Sequence, residues 1–334
     1  MPPINVLINL PPTFYKVSAS ATVLRRVATL GKVRRRSHNT PDEIRRDLAW
    51  ADAVLMWSWP VLDDGLLDSA PRLRFSGQID ISRTGAEVAL RRGFPVSTSR
   101  RCWAPAVSEM ALTLMLGGLR RVSAHHTAMA VAKERWVADF PGDIDPRERE
   151  LTGRSVGIIG FGAVGRRLAE LLAPFHCDIR VHDPFLPPAI AAQAGVTLVD
   201  LPTLLRGSDV VVLCAASNSG SQHLLGSREL ALLRKDAVLV NVARAALVDT
   251  TALVRRLERG DLTACIDVFD HEPLAKGHPL RRAPNCWLTP HRAGGVLSSV
   301  ERALGWLIDD LEAHSAGRER RFPLTAAMLP GLDG

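Results

Sequence analysis

Gly160-Phe161-Gly162-Ala163-Val164-Gly165 stands where an apolar run, Ser155 to Ile159, gives way to a helix-forming stretch. A first glycine permits a tight turn, a second lets backbone approach a pyrophosphate, and a third lets helix and strand pack closely. Phosphates then rest on the helix N-terminus, whose free N–H groups and partial positive charge attract anions. Alone, G-x-G-x-x-G is a weak signal, equally able to mark a glycine-rich turn with no ligand. Asp183 strengthens it. It lies 23 residues after Gly160, at the end of the next apolar run, where a carboxylate accepts from the ribose 2′- and 3′-hydroxyls. The same carboxylate repels a 2′-phosphate, so NAD (NADH) is expected and NADP disfavoured.

A second set of reactive side chains falls at the ends of later apolar runs. Arg244 follows one, Asp267-Val268-Phe269-Asp270-His271-Glu272-Pro273 closes another, and Thr289-Pro290-His291 closes the last. In a parallel sheet such ends face the crevice where ligands bind. Arg244 offers a carboxylate two parallel donors, a fork that Lys does not reproduce. A carboxylate and a His on neighbouring strand ends can pair, which favours the imidazolium and keeps a usable acid near neutral pH. A positioned proton donor typically adds roughly 10²–10⁴ to a rate. The plainer readings are a surface Arg among the 37 of this chain and a capped structural His. His271 and His278 have weaker contexts and receive no role.

These groups need a scaffold of strands ending side by side. From Ser155 to Pro290 short apolar segments alternate with helical stretches such as Val164 to Leu172 and Ala252 to Arg259, with Gly260 as a stop. Strands are expected at Ser155 to Ile159, Ile179 to His182, Asp209 to Cys214, Ala237 to Val242, Ala264 to Val268 and Cys286 to Leu288. The pattern argues a parallel sheet covered on both faces. The first hundred residues form a smaller α/β unit, with strands at Ile4 to Leu10, Ala53 to Trp57, Leu73 to Ser76 and Val96 to Thr98. A helix is expected from a cap at Ser18 through Leu30, stopped by Gly31. The helix from Ala104 to Arg121 is apolar nearly all round and is therefore buried, between domains or between subunits. Ser298 to His314 reads as an amphipathic helix that packs back on the first domain. Asp139 to Arg149 reads as a loop.

A length of 334 residues with 46% hydrophobic side chains suffices for two domains. Met110 to Leu119, the longest nearly apolar stretch, is about half of the roughly 20 residues a membrane span needs. No signal peptide is read at the amino terminus. Cys102, Cys177, Cys214, Cys265 and Cys286 include no C-x-x-C pair, and no His cluster has metal-ligand spacing. They read as reduced core thiols of a cytoplasmic protein without a metal site. The net charge of +7 is concentrated early, with 16 Lys and Arg against 9 Asp and Glu in residues 1 to 105. No nucleic-acid-binding signature accompanies it, so a small anionic substrate is the preferred partner, one with extra negative charge. Trp57, Trp59 and Trp103 read as core packing, with a pocket wall as the alternative.

Taken together these motifs resemble the D-isomer-specific 2-hydroxyacid dehydrogenases over nearly the whole chain. They run from Leu151-Thr152-Gly153 to Thr289-Pro290-His291-Arg292-Ala293-Gly294, through His182-Asp183-Pro184, Ser208-Asp209-Val210-Val211 and Asn241 to Asp249. The resemblance implies two α/β domains with doubly wound, Rossmann-like and flavodoxin-like parallel sheets. A discontinuous substrate domain (1–103 and 295–334) would hold an inserted NAD domain (104–294), with catalysis in the cleft. It implies NAD-dependent interconversion of a small 2-keto acid and a D-2-hydroxy acid, glyoxylate-, hydroxypyruvate- or phospho/phosphono-acid-like, with catalytic Arg244, Glu272 and His291. Cofactor contacts fall to Gly160, Gly162, Ala163, Val164, Gly165, Asp183, Cys214, Ala243, Asp267 and His291, and substrate contacts to Gly77, Gln78, Arg244 and His291. A homodimer is implied through the helix around Pro105 to Arg121. This chain departs from the pattern at Ala245 (usually Gly), at Cys214 to Asn218 (lacking a common Pro) and at Gly77 to Ser82. In that last segment Asp80 would repel an anion if it faced the site. The alternatives are a phosphite-type dehydrogenase and an NAD(H)-binding, co-repressor-like sensor.

Overall fold

Successive residues of β1 (Ile4–Asn9) alternate between two apolar layers, and this alternation builds the amino-terminal sheet. The computed structural model describes residues 3–18, 21–218 and 220–332, which divide into two compact units: Met1–Trp103 with Val296–Gly334, and Ala104–Gly295. In the first unit β1 is joined by β2 (Gly31–Arg36), β3 (Ala53–Met56), β4 (Phe75–Gln78) and β5 (Val96–Thr98). All pairings are parallel, in the order β2-β1-β3-β4-β5, the flavodoxin-like arrangement. Val6, Ile8, Leu55 and Phe75 face the helix Leu297–Ser315, which contributes Leu304, Leu307 and Leu311. Leu7, Val54 and Met56 face the other way, against Ile44 and Leu48 of the helix Pro41–Trp50.

The helix expected up to Leu30 runs from Ala21 to Leu30, and Gly31 follows it directly and begins β2. Ser18 is the last residue of a helix, Pro12–Ser18, and its expected capping role lies outside the described residues. β2 itself was hidden by its charge, since Lys32-Val33-Arg34-Arg35-Arg36 reads as a basic cluster. It is an edge strand, where charged side chains are tolerated because one side of the ladder meets solvent. Arg34 and Arg36, two residues apart on one face, converge on buried Asp47 at 2.9 and 2.8 Å, joined by His38 at 2.9 Å. Burial would raise that carboxyl, but the hydrogen bonds from His38, Arg36 and Arg34 hold it below the usual range. Part of the early positive charge is thus neutralised inside its own unit.

The second unit contains β6 (Ser155–Ile159), β7 (Asp178–His182), β8 (Thr197–Leu198), β9 (Val210–Leu213), β10 (Ala237–Asn241), β11 (Leu262–Ile266) and β12 (Cys286–Leu288). Their order, β12-β11-β10-β9-β6-β7-β8, is parallel throughout and reverses direction between β6 and β9. Val156, Ile158, Val210, Val212 and Val240 pack under the helices Ala104–Leu119 and Ala163–Leu172. Val211, Leu213, Leu239 and Ile266 pack under Leu201–Gly207 and Thr250–Glu258.

The helical stretch Arg100–Leu119 has 20 residues and a mean hydropathy of 1.3, long and apolar enough to cross a membrane. Reckoning only Met110 to Leu119 understated its length. Ala111, Leu114, Met115 and Leu119 lie instead in the core of the second unit. The exposed apolar residues come after it. The helix Val122–Ala130 buries none of its residues, and Met129, Trp136 and Phe140 stand in solvent.

Candidate active site

β6 delivers the chain into the glycine turn, and each glycine there answers a different demand. Gly160 has φ +89°, and a Cβ on it would meet the Cα of Ala215 at 2.4 Å. A Cβ on Gly165 would meet the carbonyl oxygen of Gly160 at 2.4 Å, so helix and strand pack without a side chain between them. A Cβ on Gly162 would meet nothing within 4 Å, which leaves that side of the turn open to a ligand. Gly162 is also the N-cap of Ala163–Leu172 and supplies no side-chain bond, so the first N–H groups of that helix are available to an anion. The turn and the open helix end fit a dinucleotide pyrophosphate.

Asp183, just past β7, is tied down beside this turn. Its Oδ2 accepts from the Phe161 N–H at 2.8 Å and its Oδ1 from the Phe185 N–H at 2.9 Å. An ionised carboxylate has about four acceptor sites, so two remain for ribose hydroxyls. Across the turn, the Cys214 N–H donates to the Ile159 carbonyl at 2.8 Å. Burial pushes the Cys214 thiol up to about 12, which makes it a neutral lining group rather than a nucleophile.

Arg244 is exposed, and its backbone is held by a residue to which the sequence reading gave no role. Asn241, 1% exposed at the end of β10, donates through Nδ2 to the Arg244 carbonyl at 3.0 Å. Its Oδ1 accepts from the Ala243 N–H at 3.1 Å. An Asn closing a strand and bonding to backbone two residues on is a common turn device, and that was the available signal.

His291 Nδ1 lies 2.7 Å from Glu272 Oε2. An ionised carboxylate only accepts, so Nδ1 carries the hydrogen and Nε2 is left to face a reactant. Glu272 Oε1 accepts from the Phe269 N–H at 3.0 Å. Burial would raise the Glu272 carboxyl, but the bonds from His291 and Phe269 and the charges of His291 and Arg244 hold it below its ordinary range. A depressed carboxyl keeps its charge through neutral pH and loses it only as pH falls through the lowered value.

Asp267 is fully buried and does something different. Its carboxylate accepts from the Thr289 hydroxyl at 2.5 Å and from the Arg292 and Ala293 N–H groups at 2.9 Å each. The His291 N–H donates to its carbonyl at 2.8 Å. His291 has φ +50°, a region costing a non-glycine residue roughly 1–2 kcal/mol, and these bonds hold it there. Asp267→Ala would orphan three donors and should cost about 2–4 kcal/mol in urea unfolding. Stability equal to the parent would remove this fastening role.

The expected substrate contacts of the first unit lie within and just beyond a strand. β4 runs through Gln78, so Gly77 and Gln78 are interior. A Cβ on Gly77 would meet Leu55 at 2.8 Å, and Gln78 is 3% exposed with Nε2 on Ser76 Oγ at 3.3 Å. Asp80, half-exposed just beyond, lies 3.5 Å from Arg100, so its charge is not left bare toward an anion.

The comparisons agree with this geometry. The sequence model of the D-isomer specific 2-hydroxyacid dehydrogenase NAD binding domain matches residues 112–293. A glyoxylate reductase of Aeropyrum pernix is 33% identical over 80% of this chain and 81% of its own. A D-3-phosphoglycerate dehydrogenase of Methanocaldococcus jannaschii is 27% identical over 84% of this chain, which spans only 52% of that protein. Among solved structures, a phosphoglycerate oxidoreductase from Rhizobium etli superposes with a TM-score of 0.83 at 24% identity, covering 96% of this chain and 97% of that one. At that identity the likeness speaks for the fold alone.

Proposed function

The chain belongs to the D-isomer specific 2-hydroxyacid dehydrogenase family, and from that premise we propose that Arg244, Glu272 and His291 reduce a 2-keto acid to its D-2-hydroxy acid. It is an NAD-dependent oxidoreductase of 2-keto and 2-hydroxy acids. The observation that carries the residue assignment is the 2.7 Å pair of His291 and Glu272 at the ends of neighbouring strands.

Gly160, Gly162, Ala163, Val164 and Gly165 would hold the NAD pyrophosphate and Asp183 its ribose, while Cys214, Ala243 and Asp267 edge or brace the same side. When bound in reduced form, NAD supplies the hydride that C2 of the substrate takes up. Arg244 binds the substrate carboxylate and, as the carbonyl becomes an alkoxide, meets the growing negative charge with a fixed positive one. His291 delivers the proton from Nε2 to that oxygen. Glu272 fixes the ring through Nδ1, which leaves Nε2 as the nitrogen that hands over the proton. One hydride and one proton convert the ketone to a secondary alcohol, and the reverse direction uses the same groups.

The test is consumption of NADH by purified protein with a panel of 2-keto acids. Measurable NADH binding with no turnover of any of them would overturn this reading in favour of an NAD(H) sensor. Asp183→Ala should raise the KM for NADH about 10–100-fold, the worth of charge-assisted hydrogen bonds, and narrow the preference over NADPH. A parent enzyme that already prefers NADPH would refute the ribose role.

The exposed apolar segment 122–144 suits contact with a second copy of this chain, a homodimer seam displaced from the buried helix Ala104–Leu119. Free cysteines and the NADH requirement suit the cytoplasm.

A further inference from the structure

We propose that the second unit carries a ligand site remote from the glycine turn, and that it takes a small organic acid, one anionic head on a flat apolar body. The site is a cavity of about 520 Å³ between the helix Val122–Ala130 and the start of β12. Cavities of roughly 300–1,000 Å³ are of the size that holds small molecules.

The helix stands off from the body of its unit. Arg121, its N-cap, has φ +49°, and no residue of 122–130 is buried. Ser123, Ala124, Thr127, Ala128 and Val131 recur at helical spacing and turn one face to the cavity. Exposed Val122 and Met129 do not line it, so the cavity and the apolar seam use different sides of the helix. Opposite stand Thr263 of β11, Asn285, and Cys286 and Trp287 of β12. These are the amino ends of the strands, whereas the glycine turn, Arg244 and His291 follow carboxyl ends.

The polar side of the cavity is cationic. Arg121 and Lys133 line it, and its wall has no acid among the described residues. Lys133 has no ion pair among the described residues. Arg121 lies 3.7 Å from Asp145, whose carboxylate Arg147 already holds through bonds of 2.9 and 2.7 Å. A narrower cleft shares Arg121, Thr263 and Asn285 with the cavity and adds Arg149 and Asp236. Arg149 meets Asp209 at 3.4 Å and the Asp236 carbonyl, but its Nε is buried with no hydrogen-bond partner among the described residues. A desolvated guanidinium with an open N–H favours an anion beside it.

The opposite wall sets the rest of the ligand. Trp287 lies so close to Gly117 that a Cβ there would meet its ring at 2.5 Å, which fixes the indole as a flat surface. With Cys286, Ala128 and Val131 it offers apolar contact, and an aromatic body against it gains burial and ring-to-ring geometry. The cations and the Asn285 amide are then left to meet a carboxylate.

The experiment is isothermal titration of the purified protein with 2-naphthoate, with NADH present at saturation to occupy the glycine turn. The parent should bind it at a single site with a Kd of about 100 µM or tighter. The uncharged 2-naphthamide should bind at least about tenfold more weakly. Arg121→Gln and Lys133→Gln should each weaken naphthoate at least about fivefold, and Ala128→Trp, which fills the cavity from the helix, should abolish its binding. NADH affinity should stay within about twofold of the parent in all three variants, which a damaged fold would not allow. Naphthamide binding as well as naphthoate, or undiminished naphthoate binding in Ala128→Trp, would overturn the proposal. Absence of binding by the parent would also overturn it. A mass in solution that falls from dimer to monomer in Ala128→Trp would then name a second copy of the chain as the occupant.

Discussion

His291→Ala should lower kcat for keto-acid reduction by about 10²–10⁴ and leave NADH binding within about twofold. The ring is the proton donor, and its partner Glu272 cannot replace it, being held ionised and able only to accept. Binding should survive because the glycine turn and Asp183 are built on β6 and β7 and use none of the His291 bonds. Two further readouts separate proton transfer from general damage. Added imidazole should restore part of the turnover of the Ala variant. Glu272→Gln should keep an acceptor for Nδ1 but remove its charge, lowering kcat while NADH binding stays within about twofold. In the parent the Glu272 charge is lost only below the ordinary carboxylate range, so acid should not break the pair near neutrality. Near-normal turnover in His291→Ala would remove this residue from the mechanism.

Arg244→Lys should lose about 10²–10³ in kcat/KM although the formal charge is unchanged. A guanidinium can bond a carboxylate through two parallel N–H groups, and an ammonium is a point charge on a flexible stem. The backbone under Arg244 is fixed by Asn241 from both sides, through the Arg244 carbonyl and the Ala243 N–H, which limits how far a Lys could readjust. The loss should appear in both kcat and KM, since the same fork binds the ground-state carboxylate and meets the developing alkoxide. A Lys variant retaining more than about a third of parent kcat/KM would show that charge alone suffices. Thermal unfolding should hardly change, because Arg244 is exposed and its side chain bonds to the neighbouring Ala243 carbonyl rather than to a distant element.

Much of the scaffold is legible in the chain because its signals are local. An apolar run such as Val210–Leu213 is buried on both faces and reads the same in sequence and in the sheet. The glycine turn is legible because Gly160 and Gly165 stand where backbone conformation or a close approach excludes a side chain. Strand β2 was not legible. Its charged residues are stable only because the strand is an edge and Asp47, on another element, collects Arg34, Arg36 and His38.

For the candidate site the division is similar. Residue types and strand-end positions already single out Arg244 and His291, and the family resemblance adds Glu272. Only folding shows what the acids of the 267–272 segment touch, with buried Asp267 fastening the backbone around His291 and Glu272 turned toward its ring. Only folding shows that Gln78 lies inside β4, that Asp80 meets Arg100 and that three tryptophans gather. Apolar periodicity, turn chemistry and motif spacing depend on near neighbours along the chain, and so they can be read before any fold exists. Which charge meets which, and which rings gather, depends on contacts among residues far apart in the chain, and those exist only once the sheets have formed.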